Sequence, residues 1–61
     1  MPDYRLYSLD GAGRINSAEW ITAESDEEAI EKAREMDHGA LKCEIWLRQR
    51  HVKTLNAQDL S

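Results

Sequence analysis

The chain has 61 residues, of which 41% are hydrophobic and 33% are charged, and its formal net charge is −4. This length allows one domain, which buries only about 60% of the surface that the unfolded chain exposes. No apolar run approaches the roughly 18 residues of a membrane span, and no signal peptide is recognisable, so we expect a cytoplasmic protein without a membrane partner. The single cysteine cannot form an internal disulfide, which agrees with a reducing compartment.

The first two predicted elements form a β-hairpin. Asp3 to Leu9 is rich in Tyr and Leu and is followed by Asp10-Gly11-Ala12-Gly13, a turn with two glycines that can adopt positive φ. The returning strand is predicted at Arg14 to Ala23, and its last residues are good strand formers. Ser17 and Ala18 weaken the pattern, and a β-bulge there would change which side chains face the core.

The helix has the clearest boundaries in the sequence. Ser25 is a good N-cap, the helix begins at Asp26, and Glu28 stands three residues after the cap, where it can close a capping box. Gly39 can adopt the left-handed conformation that ends a helix. One apolar stripe follows the helical repeat and predicts a single buried face: Ala29, Ile30, Ala33 and Met36.

Two further strands are predicted after the helix. Leu41 to Leu47 alternates strictly, which assigns one set of side chains to the core: Leu41, Cys43, Ile45 and Leu47. Residues 48–51 lack Gly, Asn or Asp for a tight turn, and a short fourth strand is predicted at His51 to Leu55. Asn56 to Ser61 is polar and is expected to be a frayed tail, which leaves an ordered core at about residues 3–55 of a single domain.

This order of elements predicts a two-layer α+β fold, β-β-α-β(-β), with a mainly antiparallel sheet and one helix packed on one face. Leu6 and Ile21 are expected to join the core, and Ile15 and Val52 are further candidates. The opposite face of the sheet stays open, because one helix covers only one face. Alternation assigns Tyr7, Trp20, Trp46, Arg5, Lys42 and Arg48 to that face as a candidate interaction surface, together with Leu9, Glu44, His51 and Lys53.

Three explanations of the open face are compatible with the sequence. The leading one is a homodimer or a site for another protein, because interfaces favour aromatic residues and arginine. The second is single-stranded nucleic acid, with bases stacked on the aromatic rings and phosphates held by the cations. In the third, Arg5, Lys42, Arg48 and the C-terminal tail cover the tryptophans within one chain.

Charge is unevenly distributed along the chain. Residues 24–37 carry seven acids against two bases, a net of −5, and residues 42–53 carry four bases against one acid, a net of +3. An acidic helix surface that is simply solvated, with ordinary solubilising bases on the strands, accounts for this pattern. The molecule is therefore expected to have one side with a negative net charge and another with a positive net charge.

No motif indicates catalysis, a cofactor or a metal. Cys43 falls on the predicted core side of its strand, where a free cysteine is usually an inert hydrophobe. His38 and His51 are thirteen residues apart and have no metal-ligand spacing around them. The two-glycine turn leads into a strand, so it lacks the helix N-terminus of a phosphate loop. We therefore expect a non-enzymatic interaction module without a cofactor.

Two stretches carry a resemblance that covers roughly residues 4–55: YRLYSLDGAGRINSAEWITAESDEEAIEKAREM and EIWLRQRHVKTL. They resemble a group of very short, uncharacterised, alphaproteobacterial-type proteins that share YRLY, a hairpin with Asp and Gly, SDEEAI..A and E.W...R.V..L. The resemblance implies a small intracellular domain and brings no activity or site residue. This chain has no glycine at positions 48–50, where one is expected in the group. A looser similarity, in the helix start, is to HicB-type antitoxins and implies a regulatory alternative.

Overall fold

The computed structural model describes residues 1–60 of the chain. The four strands form one antiparallel sheet in the order β2-β1-β3-β4, and the predicted α+β fold is confirmed, including its fourth strand. The elements in chain order are β1 (Asp3–Leu9), β2 (Ile15–Thr22), α1 (Asp26–Met36), β3 (Lys42–Leu47), β4 (Arg50–Asn56) and α2 (Ala57–Leu60).

The start of α1 is fixed by side-chain caps, as predicted. Ser25 Oγ accepts a hydrogen bond from the Glu28 amide at 3.2 Å, which satisfies one of the free N–H groups of the first turn. Glu28 Oε1 reaches back to the amide of Glu24 at 3.4 Å, one residue before the cap. At the other end, the Asp37 amide donates to the Ala33 carbonyl, and Gly39 has a φ of 86°, so the chain leaves the helix there.

The core lies between α1 and one face of the sheet. The helix contributes small side chains, Ala29 and Ala33, which permit close approach of its backbone to the strands. The sheet supplies the larger groups that fill this layer, so a short helix with few large side chains suffices. The core cluster contains Tyr4, Leu6, Ile21, Ala23, Ala29, Ala33, Cys43, Ile45, Leu55 and Leu60, with Ile30, Ala40, Leu47 and Val52 packed against it.

Three residues assigned to the core from the sequence are exposed. Leu41 is 58% exposed because β3 begins one residue later, and its Cδ1 lies beside the β1–β2 turn, 3.7 Å from where a Cβ on Gly11 would stand. Met36 is the last residue of α1 and is also exposed. Ile15 is 62% exposed because the β1–β2 register shifts between Ser8 and Leu9, which is the kind of bulge that the sequence signalled for β2.

The expected frayed tail is wrong for the residues that the structure describes. Asn56 belongs to β4, and its amide donates to Asp59 Oδ2 at 3.0 Å, which caps α2. Leu60 is 1% exposed, and its carbonyl accepts from the Gly39 amide at 2.6 Å. One leucine therefore anchors an otherwise polar segment, while Ser61 lies outside the described residues.

The β3–β4 connection is a tight turn without glycine. Arg48 and Gln49 form it, and Leu47 pairs directly with Arg50. Arg48 has a φ of 58°, the left-handed region that ordinary side chains disfavour. The chain therefore forms this turn with a residue less suited to the left-handed region than glycine.

Candidate functional site

The register of the four strands arranges the open face in three rows. The first row is Trp20, Arg5, Trp46 and His51; the second is Ala18, Tyr7, Glu44 and Thr54; the third is Ile15, Leu9, Lys42 and Asn56. Paired residues of neighbouring strands point to the same side of a sheet. The structure therefore brings together five of the predicted surface residues, and the sixth, Arg48, lies in the turn that follows Trp46.

Arg5 links two of the aromatic rings. Its guanidinium carbon lies 4.4 Å from the ring centroid of Trp20 and 5.8 Å from that of Tyr7, within the range of cation–π attraction. Trp20 nevertheless remains 66% exposed. The expected covering of the tryptophans by basic side chains is thus present for this pair and leaves most of the indole open.

Trp46 is held more firmly than Trp20. Its Nε1 donates to Glu44 Oε1 at 3.1 Å, and its ring meets His51 edge-on, with centroids 5.2 Å apart and an interplanar angle of 71°. His51 is fixed in turn by a 2.8 Å hydrogen bond between its Nε2 and Thr54 Oγ1. Trp46 is only partly exposed and has defined neighbours, so its position is fixed by contacts within the chain.

A depression of about 330 Å³ lies on this face. Its size is at the lower end of the range for small-molecule sites, and it opens onto the surface. It is lined by Tyr7, Ile15, Glu44, Trp46 and Arg48. The bulge in the β1–β2 pair therefore has a consequence for the site, because it places an exposed isoleucine beside the aromatic residues.

Two expectations about the open face are wrong. Lys53 pairs with Ile45, whose side chain is in the core, so Lys53 stands on the helix side; the β3–β4 register shifts immediately afterwards, between Ile45 and Trp46. The C-terminal segment does not cover the open face, because Leu60 packs into the core with Ala33 of α1. The tail covers the helix side.

The positive charges of the open face have no carboxylate partners among residues 1–60. Arg5, Lys42 and Arg48 form no ion pair with a described residue, and the carboxylate of Glu44 is hydrogen-bonded to the indole of Trp46. The ion pairs lie elsewhere on the molecule: Arg14 with Asp10, Lys32 with Glu28, and Arg50 with Asp26. The open face therefore presents aromatic surface with cations that are free to meet an anion.

A polar cluster that the sequence did not reveal joins three elements on the helix side. Arg50 donates two 3.1 Å hydrogen bonds to the carboxylate of Asp26, and the Tyr4 hydroxyl donates a third at 2.7 Å. The Arg50 guanidinium and the Tyr4 hydroxyl hold the pKa of Asp26 below its usual range, while the bond to Asp26 raises the pKa of Tyr4. Only the tertiary fold brings these residues together, so no local pattern could have predicted them.

The remaining reactive side chains in the described part of the chain include a cysteine and a histidine that lie apart from the open face. Cys43 is fully buried, as predicted, and burial raises the pKa of its thiol to about 11, so it stays protonated at neutral pH. His38 is exposed beside α2, thirteen residues along the chain from His51, the other histidine of the sequence. Within residues 1–60 no group of three or more His, Cys, Asp or Glu side chains could hold a metal ion, and no helix is long and apolar enough to cross a membrane.

Comparison of the chain with models of protein families, with curated proteins and with solved structures finds no match. The arrangement of side chains is therefore the basis for a proposal about function. That arrangement combines three large aromatic rings, an exposed isoleucine and three cations without ion-pair partners on one side of the sheet.

Proposed function

We propose that this protein is a non-enzymatic interaction module that associates with a second copy of itself through the open face. The observation that carries this proposal is the exposure of Trp20 and Ile15, 66% and 62%, on the face that also holds Tyr7 and Trp46. Aromatic residues and arginine are enriched at protein interfaces, and buried aromatic anchors supply most of their binding energy. A contiguous apolar surface of this kind favours a protein contact.

The face has the features needed for a two-fold contact. Trp20 lies on the edge strand β2, and the depression on the same face is lined by Tyr7, Ile15, Trp46 and Arg48. In an isologous dimer, Trp20 of each copy can pack into the depression of the other. The half-buried Trp46 then serves as the fixed wall, and Arg48 stays at the rim, where its charge keeps contact with water.

Replacement of Trp46 by glutamate tests the face contact. We expect Trp46→Glu to abolish association through the open face, because a carboxylate would be buried without a partner, and to leave the helix content intact. Light scattering after size-exclusion chromatography gives the number of chains per particle, and circular dichroism reports the helix. The matched control is Leu41→Glu, which adds the same charge at an exposed leucine outside the rows of the open face.

The number of chains per particle, measured by light scattering, decides between the outcomes. The proposal predicts fewer chains per particle for Trp46→Glu than for wild type and Leu41→Glu at equal concentration. If all three proteins have the same number of chains, the open face is not the contact surface. A wild type that is monomeric at every concentration tested also contradicts the proposal.

Binding of single-stranded nucleic acid is a second candidate, favoured by the three cations without ion-pair partners beside the indoles. In this candidate the protein is a regulatory, antitoxin-like binder that stacks bases on Trp20 and Trp46. The experiment is an NMR titration with mixed short oligonucleotides at low salt, in which the two indole N–H signals are followed. Movement of both signals that reverses at high salt supports nucleic-acid binding. Static signals whose widths depend on protein concentration support self-association.

A further inference from the structure

The outer edge of β2 is a second surface suited to association, separate from the open face. β2 is an edge strand, and residues 15–20 are exposed. The Ala23 amide donates to the Pro2 carbonyl at 3.2 Å, which marks Pro2 and Ala23 as a hydrogen-bonded pair. Hydrogen-bonded and non-hydrogen-bonded pairs alternate in an antiparallel ladder, so Ile21 and Glu19 bond to β1. Trp20 lies between these two residues, and Ala18 precedes Glu19. The backbone N–H and C=O groups of Trp20 and Ala18 therefore point away from β1, toward the outside of the sheet.

A helix side chain confirms the direction of these groups. Lys32 Nζ donates to the Thr22 carbonyl at 2.6 Å, and Thr22 has the same parity along β2 as Trp20 and Ala18. One outward carbonyl of the edge therefore already accepts a hydrogen bond from within the chain, and its second lone pair remains for a neighbouring strand. Trp20 and Ala18 have the same parity, and each presents one backbone N–H donor and one C=O acceptor away from β1. Their spacing is that of an edge strand with unpaired backbone groups.

Both edge strands take part in a register shift, but the other edge of the sheet has further protection. The register of β4 shifts opposite Ile45 and Trp46, which twists that edge, and α2 packs at its end. β4 also carries Arg50, His51 and Lys53, whereas β2 has no Lys, Arg or Pro. Natural edge strands are commonly protected by bulges and charges of this kind. The β2 edge is thus the less protected of the two for strand pairing.

We propose that β2 pairs with β2 of a second copy, antiparallel and centred on Trp20, so that two four-stranded sheets form one continuous sheet. Each Trp20 would exchange two backbone hydrogen bonds with Trp20 of the other copy. Ala18 would face Thr22, and Glu19 would face Ile21 of the other copy. Pairing centred on Glu19 would place two glutamates directly opposite each other, which is unfavourable. Pairing centred on Ala18 would use the irregular end of the strand, next to the bulge.

Charge complementarity supports both the partner and the register. Glu19 pairs with Leu6 of its own sheet, so its side chain lies on the helix side. Lys32 reaches the edge of the sheet on that same side, beside Thr22. In the pairing centred on Trp20, Glu19 of one copy stands next to Ile21 of the other and close to its Lys32. A two-fold axis produces this ion pair twice, joining the existing pair of Lys32 with Glu28.

The edge contact does not depend on the open-face contact. Its two-fold axis is perpendicular to the sheet, whereas a face-to-face contact has its axis parallel to the sheet, so one chain can make both contacts with different partners; the assembly closes at four chains where the two axes intersect. Trp46→Glu separates them, because that variant keeps the edge of β2 intact. We expect Trp46→Glu to form dimers of twice the 7.0 kDa chain mass at high concentration. If this variant is monomeric while wild type associates, the edge proposal is wrong and the face proposal stands.

Amide hydrogen exchange tests the backbone pairing directly. In wild-type protein we expect exchange at Ala18 and Trp20 to slow at least about tenfold between dilute and concentrated samples, because their amides gain acceptors on association. Glu19 and Ile21 bond to β1 in every state and provide internal controls that stay protected at both concentrations. Equal exchange rates at Ala18 and Trp20 across the concentrations at which the protein associates would overturn the proposal.

Two sets of variants test the strand and its register in the Trp46→Glu background. Ala18→Pro removes an outward donor, which an edge strand tolerates, so we expect loss of the dimer with the fold retained, while the control Ala18→Ser keeps it. Glu19→Lys alone and Lys32→Glu alone place like charges together and should each raise the dissociation constant roughly tenfold. An equal mixture of these two variants restores opposite charges at both positions and should dimerise. Failure of the mixture to dimerise overturns the pairing centred on Trp20.

Discussion

Leu60→Ala provides the sharpest test of how the fold is held together. Leu60 is 1% exposed and belongs to the core cluster that also contains Ala29 and Ala33 of α1. The substitution removes about three carbon groups worth about 0.8 kcal/mol each, or about 2.4 kcal/mol, before any cavity cost. A chain of this size is stable by about 3–9 kcal/mol, so the loss is a large fraction of the total. It should lower the Tm by about 10–20 °C.

The matched control is the same substitution at the other leucine whose location the sequence misassigned. Leu41 is 58% exposed, so scaling by its buried fraction gives a loss of about 1 kcal/mol at most for Leu41→Ala. Urea unfolding followed by tryptophan fluorescence and by circular dichroism measures both variants. The structure predicts that Leu60→Ala is the more destabilising by more than about 1 kcal/mol. The reverse order would show that the C-terminal segment is frayed and that Leu41 belongs to the core, which refutes the packing described above.

Three further predictions concern single side chains. Arg48→Gly should raise the Tm by about 2–8 °C in a thermal melt, because relief of the left-handed backbone strain at Arg48 exceeds the entropy cost of glycine by about 0.5–1 kcal/mol. Arg48→Ala keeps a Cβ at this position and should not raise the Tm. The pKa of Asp26 in the folded protein is below the ordinary carboxyl value of 3.8, so its ionised form stabilises the fold above that pH, and this stability is lost as pH falls through the folded pKa. In urea unfolding, the greater stability of wild type relative to Asp26→Asn should therefore shrink below about pH 4. Cys43 should react with a thiol reagent at pH 8 only as fast as the protein unfolds; rapid labelling of the native protein contradicts its burial.

The sequence predicts the elements of this fold well because local signals agree with the global arrangement. Ser25 and Glu28 mark the helix start by a cap whose geometry is local, and β1 has the predicted bounds Asp3–Leu9. The alternation in β3 places Cys43 and Ile45 in the core. Each of these features depends on residues within one turn or one strand, which a linear pattern records directly.

The errors occur where tertiary contacts decide. Leu60 is isolated in a polar segment, and only the gap between α1 and β4 explains its burial. Bulges in the β1–β2 and β3–β4 pairs move Ile15 to the open face and Lys53 to the helix side, since one extra residue reverses the parity of everything beyond it. The cluster of Tyr4, Asp26 and Arg50 unites three distant segments, and no spacing along the chain encodes it.

The positions of five of the six candidate surface residues were predictable because they depend on strand parity, whereas Arg48 lies in the turn after β3. Strand parity does not predict which neighbours each tryptophan ring contacts or how exposed it is. Trp46 is hydrogen-bonded and flanked by His51, whereas Trp20 has only Arg5 over its ring and stays largely exposed. Two tryptophans on one face are therefore suited to different roles, Trp46 as a fixed wall and Trp20 as a side chain that inserts.

The distribution of charge limits how far association can proceed. The acidic surface of α1 lies on the opposite side of the sheet from Arg5, Lys42 and Arg48. When open faces or β2 edges meet as proposed, the helices remain on the outside, where their negative charge repels the helices of other assemblies. The β4 edge carries a bulge and contacts α2, and the edge contact covers β2, the other edge of the sheet. Both contacts are two-fold, so each surface is occupied by one partner copy.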